Sequence, residues 1–364
     1  MLGTRGAVLR AGGRQLARLL SGQRRAESSP DPWCGPMVAT RGTCSDVPSQ
    51  APHAPLSSQA PATPATMPPH LAAYPTLDKL GLLVGGAVRI KEPARVEALI
   101  SGIVGGGFSR LQLVVDFDYT LTRVHMGGHR CHCSWGIMDN SPKMPEYYRE
   151  EANRLLAKYY PIEVDPKMSE AEKIPHMLEW YEQIHDLLVK CAISRDAIKG
   201  MVSASSSRLR EGSEELCHTL HGAGVPVLVL SAGMGDVLEE VLRQFNVYTD
   251  NVKVVSNFFD YNEEGRMVGF KGKLIHVFNK NEDAIHSSDY FEKLHDRNNV
   301  ILMGDSLGDI KMAMGVPQPS SVLKIGFLND KIDERLEVFM DNFDIVLLDD
   351  QTMDVTNSIV GLMK

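Results

Sequence analysis

The strongest constraint on the fold is a regular alternation between short apolar runs and segments with helical spacing. The runs are as short as strands and almost continuously apolar, which is typical of parallel strands covered by helices on both faces. The segments between them carry apolar residues three and four positions apart, which predicts helices. The sequence therefore predicts an α/β domain with a parallel sheet, beginning near residue 76. The predicted strands are 111–116, 225–231, 252–256, 300–305, 322–326 and 345–348, and the predicted helices are 236–244, 309–314, 331–340 and 353–363.

A long insertion interrupts this alternation after the first run. More than a hundred residues separate the first two predicted strands, which is too long for a simple crossover connection. Ser169 and Glu172 have the spacing of a capping box at the start of one helix, and Ser194 is a candidate N-cap for a second helix over 195–209. We expect a helical cap over 124–222, inserted into a core made of 76–123 and 223–364, with a hairpin turn at Asn262–Gly265 within 258–276.

The N-terminal part of the chain has a different composition. Residues 1–26 contain six arginines and no acidic residue, which resembles a mitochondrial transit peptide. The alternative is a leader that stays disordered in the cytosol, and a cytoplasmic location is our first expectation. Residues 28–75 contain 11 of the 20 prolines, so they have too little apolar surface to offset the entropy of ordering. We expect residues 1–75 to be a disordered leader and linker.

Charge, hydropathy and cysteine content exclude several classes of protein. A net charge of -8 and a pI near 5.9 argue against binding to a nucleic acid. No apolar stretch is long enough to span a membrane. Six cysteines are too few for a disulfide scaffold, and Cys131 and Cys133 lack the second Cys/His pair of a structural zinc site. We expect a monomer in a reducing compartment that acts on a small molecule.

The first predicted strand ends in two carboxylates, Asp116 and Asp118. Side chains at the carboxyl ends of strands lie at the edge of the sheet where ligands bind in open α/β folds. Asp116 and Asp118 are one residue apart, so both can face one reacting atom or one cation. Taken alone, the pair is equally well explained as a turn with two Asp residues.

Other predicted strands end in complementary groups. Ser231 follows the second strand in a turn of small residues, where a hydroxyl and free backbone N–H groups can bind an anion. Asp305 and Asp309 follow the fourth strand. Four carboxylates at one sheet edge would repel one another without a cation, and oxygen ligands of this kind favour Mg²⁺. Lys280 is a candidate counter-charge, although an isolated lysine is more often exposed to solvent.

Together and in their chain order, Asp116-Phe-Asp118-Tyr-Thr120, Ser231, Lys280 and Gly304-Asp-Ser-Leu-Gly-Asp309 resemble the four motifs of the haloacid dehalogenase superfamily. The resemblance implies a Rossmann-like core in which Asp116 attacks phosphorus and forms an aspartyl phosphate. It also implies that Asp118 protonates the leaving oxygen and then activates water.

The same resemblance implies the ligands of the phosphoryl group and of Mg²⁺. The phosphoryl group would be bound by Ser231, Ala232, Lys280 and Thr120. The metal site would comprise Asp116, Asp305 and Asp118, the last through its backbone carbonyl, with Asp309 orienting Lys280 or a metal-bound water.

A closer resemblance extends from about residue 85 to the end of the chain. It points to the cytosolic pyrimidine 5'-nucleotidase family, called type III, which includes a member specific for 7-methylguanosine phosphate. The residues that carry it are Asp139-Asn140, 159–166, Glu179-Trp-Tyr181, 231–240, 253–257, 269–276 and 323–330. Two positions depart from the family: Tyr119, where Met is typical, and Ile184, where a small Ser or Ala is typical.

The family resemblance implies how a nucleotide base would be bound. Glu163 would hydrogen-bond the base, and Trp135 and Tyr181 are candidates to stack on it, with packing inside the cap as the alternative. The expected activity is Mg²⁺-dependent hydrolysis of CMP, UMP or 7-methyl-GMP, with phosphoryl transfer to a nucleoside as a side reaction. The alternatives are a phosphatase for a non-nucleotide metabolite and a non-catalytic nucleotide-binding protein.

Overall fold

A seven-stranded sheet forms the centre of the fold, in a computed structural model that describes residues 74–83, 86–281, 294, 296–314, 316 and 319–364. The strands lie in the order β1-β11-β10-β9-β2-β5-β6, and all neighbours are parallel except β1 and β11. These strands are β1 (Val88–Arg89), β2 (Leu111–Val115), β5 (Val227–Met234), β6 (Val252–Asn257), β9 (Asn299–Gly304), β10 (Ser321–Leu328) and β11 (Ile345–Leu348). Two short ribbons pair β3 (His125–Met126) with β4 (His129–Arg130) and β7 (Phe259–Tyr261) with β8 (Met267–Phe270).

Helices connect these strands. They are α1 (Pro75–Lys79), α2 (Pro93–Gly106), α3 (Ser134–Asp139), α4 (Glu146–Glu163), α5 (Glu170–Cys191), α6 (Arg195–Ala204), α7 (Ser213–Gly222), α8 (Gly235–Gln244), α9 (Ile332–Asn342) and α10 (Asp354–Gly361). The predicted helix over 309–314 is a 3₁₀ helix over Leu307–Ala313. The predicted leader over 1–26 and almost all of the predicted linker lie outside the described residues.

The central position of β2 explains why its carboxyl end carries the site. Every residue of β2, β5 and β9 is buried, because each strand has a neighbour on both sides and is covered on both faces. β2 pairs in parallel with β5 and with β9, with Val115 opposite Val229 and Met303. The ends of the three strands therefore meet at one edge of the sheet. The predicted α/β class with a parallel sheet is confirmed.

The long insertion is mostly helical, as predicted, and contains α3 to α7 together with the ribbon of β3 and β4. The capping box at the start of α5 is present: the Ser169 backbone N–H donates to Glu172 at 2.8 Å, and the Glu172 N–H donates to the Ser169 hydroxyl at 3.4 Å. The predicted extension of the next helix to Leu209 is wrong. The chain leaves α6 at Ala204 and turns back to the core, where the Arg123 N–H donates to the Arg208 carbonyl at 2.8 Å.

The predicted hairpin is present and connects the core to the cap. β7 and β8 flank the turn, in which Gly265 has a φ of +70°, a conformation that favours glycine. Phe270 of β8 stacks on His185 of α5, with ring centroids 3.4 Å apart. Within the described residues, no helix combines the length and apolar character needed to span a membrane.

Candidate active site

A cavity of about 210 Å³ lies at the carboxyl edge of the sheet, where the cap helices cover it. Nine of the residues predicted from the sequence line this cavity: Asp116, Asp118, Trp135, Glu163, Tyr181, Ser231, Ala232, Lys280 and Asp305. Strands and loops of the core contribute the carboxylates and the lysine, and cap helices contribute the aromatic rings and Glu163. The structure therefore brings the candidate catalytic and base-binding residues into one pocket.

Asp116 and Lys280 form a buried ion pair at the floor of the pocket. Asp116 follows β2 and is 2% exposed. The Lys280 ammonium group donates to Asp116 Oδ1 at 2.5 Å and to Asp309 Oδ1 at 2.9 Å. Burial alone would lower the pKa of Lys280, but the two carboxylates raise it, so the lysine is fully protonated. Burial raises the pKa of Asp116 to about 7, against the opposing effect of Lys280.

Three carboxylates converge beside this lysine. One side-chain oxygen from each of Asp116, Asp305 and Asp309 lies within 4.8 Å of the others. Burial, followed by the neighbouring charge of Asp116, raises the pKa of Asp305 well above its ordinary value. One lysine offsets only one of three negative charges, so a divalent cation fits this group of oxygen atoms.

Asp309 is held differently from the other two carboxylates. Its Oδ1 accepts the bond from Lys280, and its Oδ2 accepts bonds from the Ser306 N–H at 2.9 Å and the Ser306 hydroxyl at 2.7 Å. Asp309 is fully buried and does not line the cavity. Through these hydrogen bonds Asp309 connects Lys280 to the turn that carries Asp305.

Asp118 also lines the pocket and lies in a tight turn over Phe117–Leu121, in which Asp118 and Tyr119 have non-helical backbone conformations. Its carboxylate accepts hydrogen bonds from the Ser134 N–H at 2.7 Å and from the Ser134 hydroxyl at 2.5 Å. Gly233 allows this approach, because a Cβ atom at that position would lie 2.2 Å from the Ser134 hydroxyl oxygen. The start of α3 therefore fixes the position of the Asp118 carboxylate.

Ser231 and Ala232 lie in the last part of β5, and not in a turn after it as predicted. The register between β5 and β6 shifts between Leu230 and Met234, which bends the backbone at Ser231. Asn257 stabilises this bend from β6, since its amide donates to the Ala232 carbonyl at 3.1 Å and to the Ile275 carbonyl at 2.8 Å. The bend presents Ser231 and Ala232 to the pocket.

The cap contributes an apolar wall. The Trp135 and Tyr181 rings meet edge to face, with centroids 5.8 Å apart, and each residue is only 6% exposed. Behind Trp135, the His185 ring lies nearly parallel to it at 6.4 Å. Of the two departures from the family, Tyr119 lines the pocket, whereas Ile184 is buried and does not.

Glu163 is the one acidic side chain that the cap adds to the pocket lining. It ends α4 and is partly exposed to the cavity. The Lys173 ammonium group donates to the Glu163 backbone carbonyl at 2.8 Å. Burial raises the pKa of the Glu163 carboxyl to about 7. The positive charges of Lys173 and Lys280 lower this pKa, but their effect is smaller than that of burial. This carboxyl is therefore available to bind a polar group of a ligand.

One predicted phosphate ligand lies elsewhere, and three supporting residues were not predicted. Thr120 is fully buried behind the pocket, outside its lining. Ser134, Asn257 and Arg210 hold the loops that carry the site, through hydrogen bonds to distant parts of the chain. No pattern of spacing in the sequence identifies such contacts, because each depends on where two remote segments meet.

The chain is similar to known proteins over most of its length. The family model described as pyrimidine 5'-nucleotidase (UMPH-1) matches residues 119–364. The human 7-methylguanosine phosphate-specific 5'-nucleotidase is 45% identical over 283 residues, covering 78% of this chain and 94% of that protein. A Caenorhabditis elegans protein named putative cytosolic 5'-nucleotidase 3 is 33% identical over 283 residues, covering 76% of this chain and 75% of that protein.

A solved structure also matches. The crystal structure of cytosolic 5'-nucleotidase IIIB bound to cytidine has a TM-score of 0.73 and 41% sequence identity, covering 79% of this chain and 97% of that one. The family predicted from the sequence is thereby confirmed. The chain belongs to the pyrimidine 5'-nucleotidase family of hydrolases.

Proposed function

We propose that this protein is a Mg²⁺-dependent 5'-nucleotidase that hydrolyses CMP, UMP or 7-methyl-GMP through an aspartyl phosphate. The observation that carries the proposal is the division of one pocket into two parts. Its floor holds the Asp116–Lys280 pair beside Asp305, and its roof holds two aromatic rings and Glu163. The floor suits a phosphoryl group, and the roof suits a base.

In the first step, a carboxylate oxygen of Asp116 attacks the phosphorus atom. The bond between phosphorus and O5' breaks, and Asp118 donates a proton to O5', so the nucleoside leaves and Asp116 carries the phosphoryl group. The hydrogen bonds from Ser134 hold the Asp118 carboxyl in position for this transfer. Lys280 and Ser231 bind the phosphoryl oxygens.

In the second step, the Asp118 carboxylate takes a proton from a water molecule whose oxygen attacks the phosphorus atom. The bond between phosphorus and Asp116 breaks, which releases inorganic phosphate and leaves Asp116 ionised and Asp118 protonated, as both were before the first step. If a nucleoside hydroxyl takes the place of water, the phosphoryl group passes to that nucleoside. Phosphoryl transfer is therefore part of the proposal as a side reaction.

Asp116, Asp305 and the backbone carbonyl of Asp118 would hold Mg²⁺, and the three converging carboxylates support that choice of metal. When bound, Mg²⁺ would offset the negative charge of the phosphoryl group beside the carboxylate nucleophile. Asp309 would orient Lys280, whose ammonium group donates to its Oδ1 at 2.9 Å.

Base recognition is assigned to the roof of the pocket. Glu163 would accept hydrogen bonds from the amino edge of cytosine or of 7-methylguanine, and Trp135 or Tyr181 would stack on the ring. Stacking suits 7-methylguanine in particular, because its ring is cationic. The relatives named for 7-methylguanosine phosphate and for bound cytidine support these two bases.

The proposal is tested by measuring phosphate release from CMP, UMP and 7-methyl-GMP by the full-length chain, with Mg²⁺ or with EDTA. We expect release from at least one nucleotide with Mg²⁺ and none with EDTA. The control is Asp116→Asn, which keeps the size of the side chain and removes the nucleophile. Release that is unaffected by EDTA, or equal in the variant, would contradict the proposal.

Two alternatives have distinct outcomes. A phosphatase for a non-nucleotide metabolite would hydrolyse phosphoserine and leave the three nucleotides intact. A non-catalytic nucleotide-binding protein would bind nucleotides without releasing phosphate. The presence of all six motif residues, Asp116, Asp118, Ser231, Lys280, Asp305 and Asp309, in and around one pocket favours the enzyme.

We also propose a cytosolic location, which the names of the relatives support. We propose that the protein is a monomer and that its substrates are small molecules. The proposed cap comprises residues 124–222, and the proposed core comprises residues 76–123 and 223–364. Gel filtration with light scattering tests the monomer, and fractionation of cells that express the full-length chain tests the location.

A further inference from the structure

A buried arginine lies directly behind the turn that carries the catalytic aspartates. Arg210 is 1% exposed, and it is the largest fully buried side chain in the part of the chain that the structure describes. It follows α6 in the extended segment that returns from the cap to the core. It does not line the active-site pocket.

The guanidinium group of Arg210 donates hydrogen bonds to the backbone of the Phe117–Leu121 turn. Its Nε donates to the Thr120 carbonyl at 2.7 Å, and one terminal nitrogen donates to the Tyr119 carbonyl at 2.5 Å and to Asn329 Oδ1 at 2.9 Å. The other terminal nitrogen donates to the Asp350 carbonyl. Among the residues that the structure describes, no carboxylate accepts a hydrogen bond from Arg210.

A buried guanidinium without a directly bonded carboxylate is costly, so its position requires an explanation. Burial lowers the pKa of Arg210 to about 10, and the charge of Asp305 is the first of the influences that raise it. The side chain therefore stays charged at neutral pH.

The turn that Arg210 holds is itself strained. Tyr119, between Asp118 and Thr120, has a φ of +61°, which a residue with a side chain rarely adopts. Its carbonyl accepts a second hydrogen bond from the Asn329 amide at 3.0 Å, and its N–H donates to Thr122 Oγ1 at 2.9 Å. These contacts hold the peptide groups on both sides of Tyr119 in the conformation that directs Asp118 into the pocket.

We propose that Arg210 is a positioning residue for the reaction: it holds the turn that bears Asp118 in its strained conformation. The inference rests on the proposed nucleotidase function. Arg210 acts on the reacting groups through the carbonyls of Tyr119 and Thr120, so its loss lowers the rate of the chemical step more than the affinity for the nucleotide.

Arg297 provides a matched control. Within the described part of the chain, its guanidinium also donates only to backbone carbonyls, those of Phe108 at 2.8 Å, Leu111 at 2.9 Å and Gly224 at 2.9 Å. Leu111 begins β2, whereas Asp116 follows its end, so Arg297 acts at the edge of the sheet away from the pocket. Arg→Lys at each position keeps the charge and removes the fixed set of several donors.

The test compares Arg210→Lys and Arg297→Lys in the full-length chain with CMP and 7-methyl-GMP. We expect Arg210→Lys to lower kcat about 10²-fold with KM changed by less than about threefold, and Arg297→Lys to leave kcat within about twofold of wild type. A readout without turnover is the rise in Tm on adding Mg²⁺, which we expect to be smaller in Arg210→Lys than in Arg297→Lys.

If Arg210→Lys does not fold, Asn329→Ala removes the other side-chain donor to the Tyr119 carbonyl, and we expect it to lower kcat about tenfold at unchanged KM. Equal kcat losses in the two arginine variants, with equal Mg²⁺-dependent rises in Tm, would overturn the role of Arg210. A wild-type protein that hydrolyses no nucleotide would instead refute the proposed function, and the Mg²⁺-dependent Tm would still test Arg210.

Discussion

Replacing Glu163 by Gln separates the cost of burying this carboxyl from its use in binding a base. The amide has nearly the same shape as the carboxyl but cannot ionise. In the folded protein the Glu163 carboxyl has a pKa of about 7, raised by burial from an ordinary value of 4.5. Between these pH values the folded state retains a proton that the unfolded state has released, so the stability of the wild type falls as the pH rises through this window.

The size of the effect follows from the two pKa values. Their difference, from 4.5 to about 7, corresponds to about 3.5 kcal/mol at about 1.4 kcal/mol per pH unit. Glu163 is partly exposed to the cavity, and water there reduces the figure to about 1–2 kcal/mol. We therefore expect Glu163→Gln to be more stable than the wild type by about 1–2 kcal/mol at pH 8, and equally stable below pH 4.5.

Urea unfolding of both proteins at several pH values measures this difference, because groups other than Glu163 cancel in the comparison at each pH. The same variant should lose about 10- to 100-fold in kcat/KM for CMP and 7-methyl-GMP. A loss of this size corresponds to the free energy of one hydrogen bond to a charged group. A stability difference that does not change with pH would refute the buried, ionisable carboxyl. An unchanged kcat/KM would refute its role in binding the base.

Three further variants test the other parts of the pocket. Asp116→Asn should abolish phosphate release without unfolding the protein, as checked by circular dichroism and by the phosphate assay. Lys280→Met should lower kcat and destabilise the fold by about 3–5 kcal/mol in urea unfolding, because it leaves Asp116 and Asp309 without their buried counter-charge. Trp135→Leu should raise KM for 7-methyl-GMP about tenfold and KM for CMP less, because stacking on a cationic ring is lost; equal changes for both nucleotides would contradict that reason.

The parallel sheet made the floor of the site predictable from the sequence. Apolar runs located β2, β5 and β9 to within a few residues, and parallel strands bring their carboxyl ends to one edge. Asp116, Asp305 and Ser231 therefore had to lie close together. Without the family resemblance, Lys280 was no more than a candidate counter-charge. Nothing about an isolated lysine indicates that it is buried beside two carboxylates.

The supporting contacts were not predictable, for a physical reason. Ser134 is 16 residues from Asp118, and Arg210 is 90 residues from Thr120, so neither contact has a periodic signal. The end of α6 at Ala204 is of the same kind, because the chain leaves the helix to pair with the segment after β2. Tertiary contacts decide such details, and local spacing does not contain them.

The most direct test of the account compares kcat/KM for CMP and 7-methyl-GMP with kcat/KM for ribose 5-phosphate. All three carry a phosphoryl group on a sugar, but ribose 5-phosphate has no base to contact Glu163 and Trp135. Stacking and one charged hydrogen bond together contribute about 3–4 kcal/mol, so at least one nucleotide should be preferred by about 10²- to 10³-fold. Equal values for the sugar phosphate and both nucleotides would contradict the claim that the roof of this pocket recognises a base.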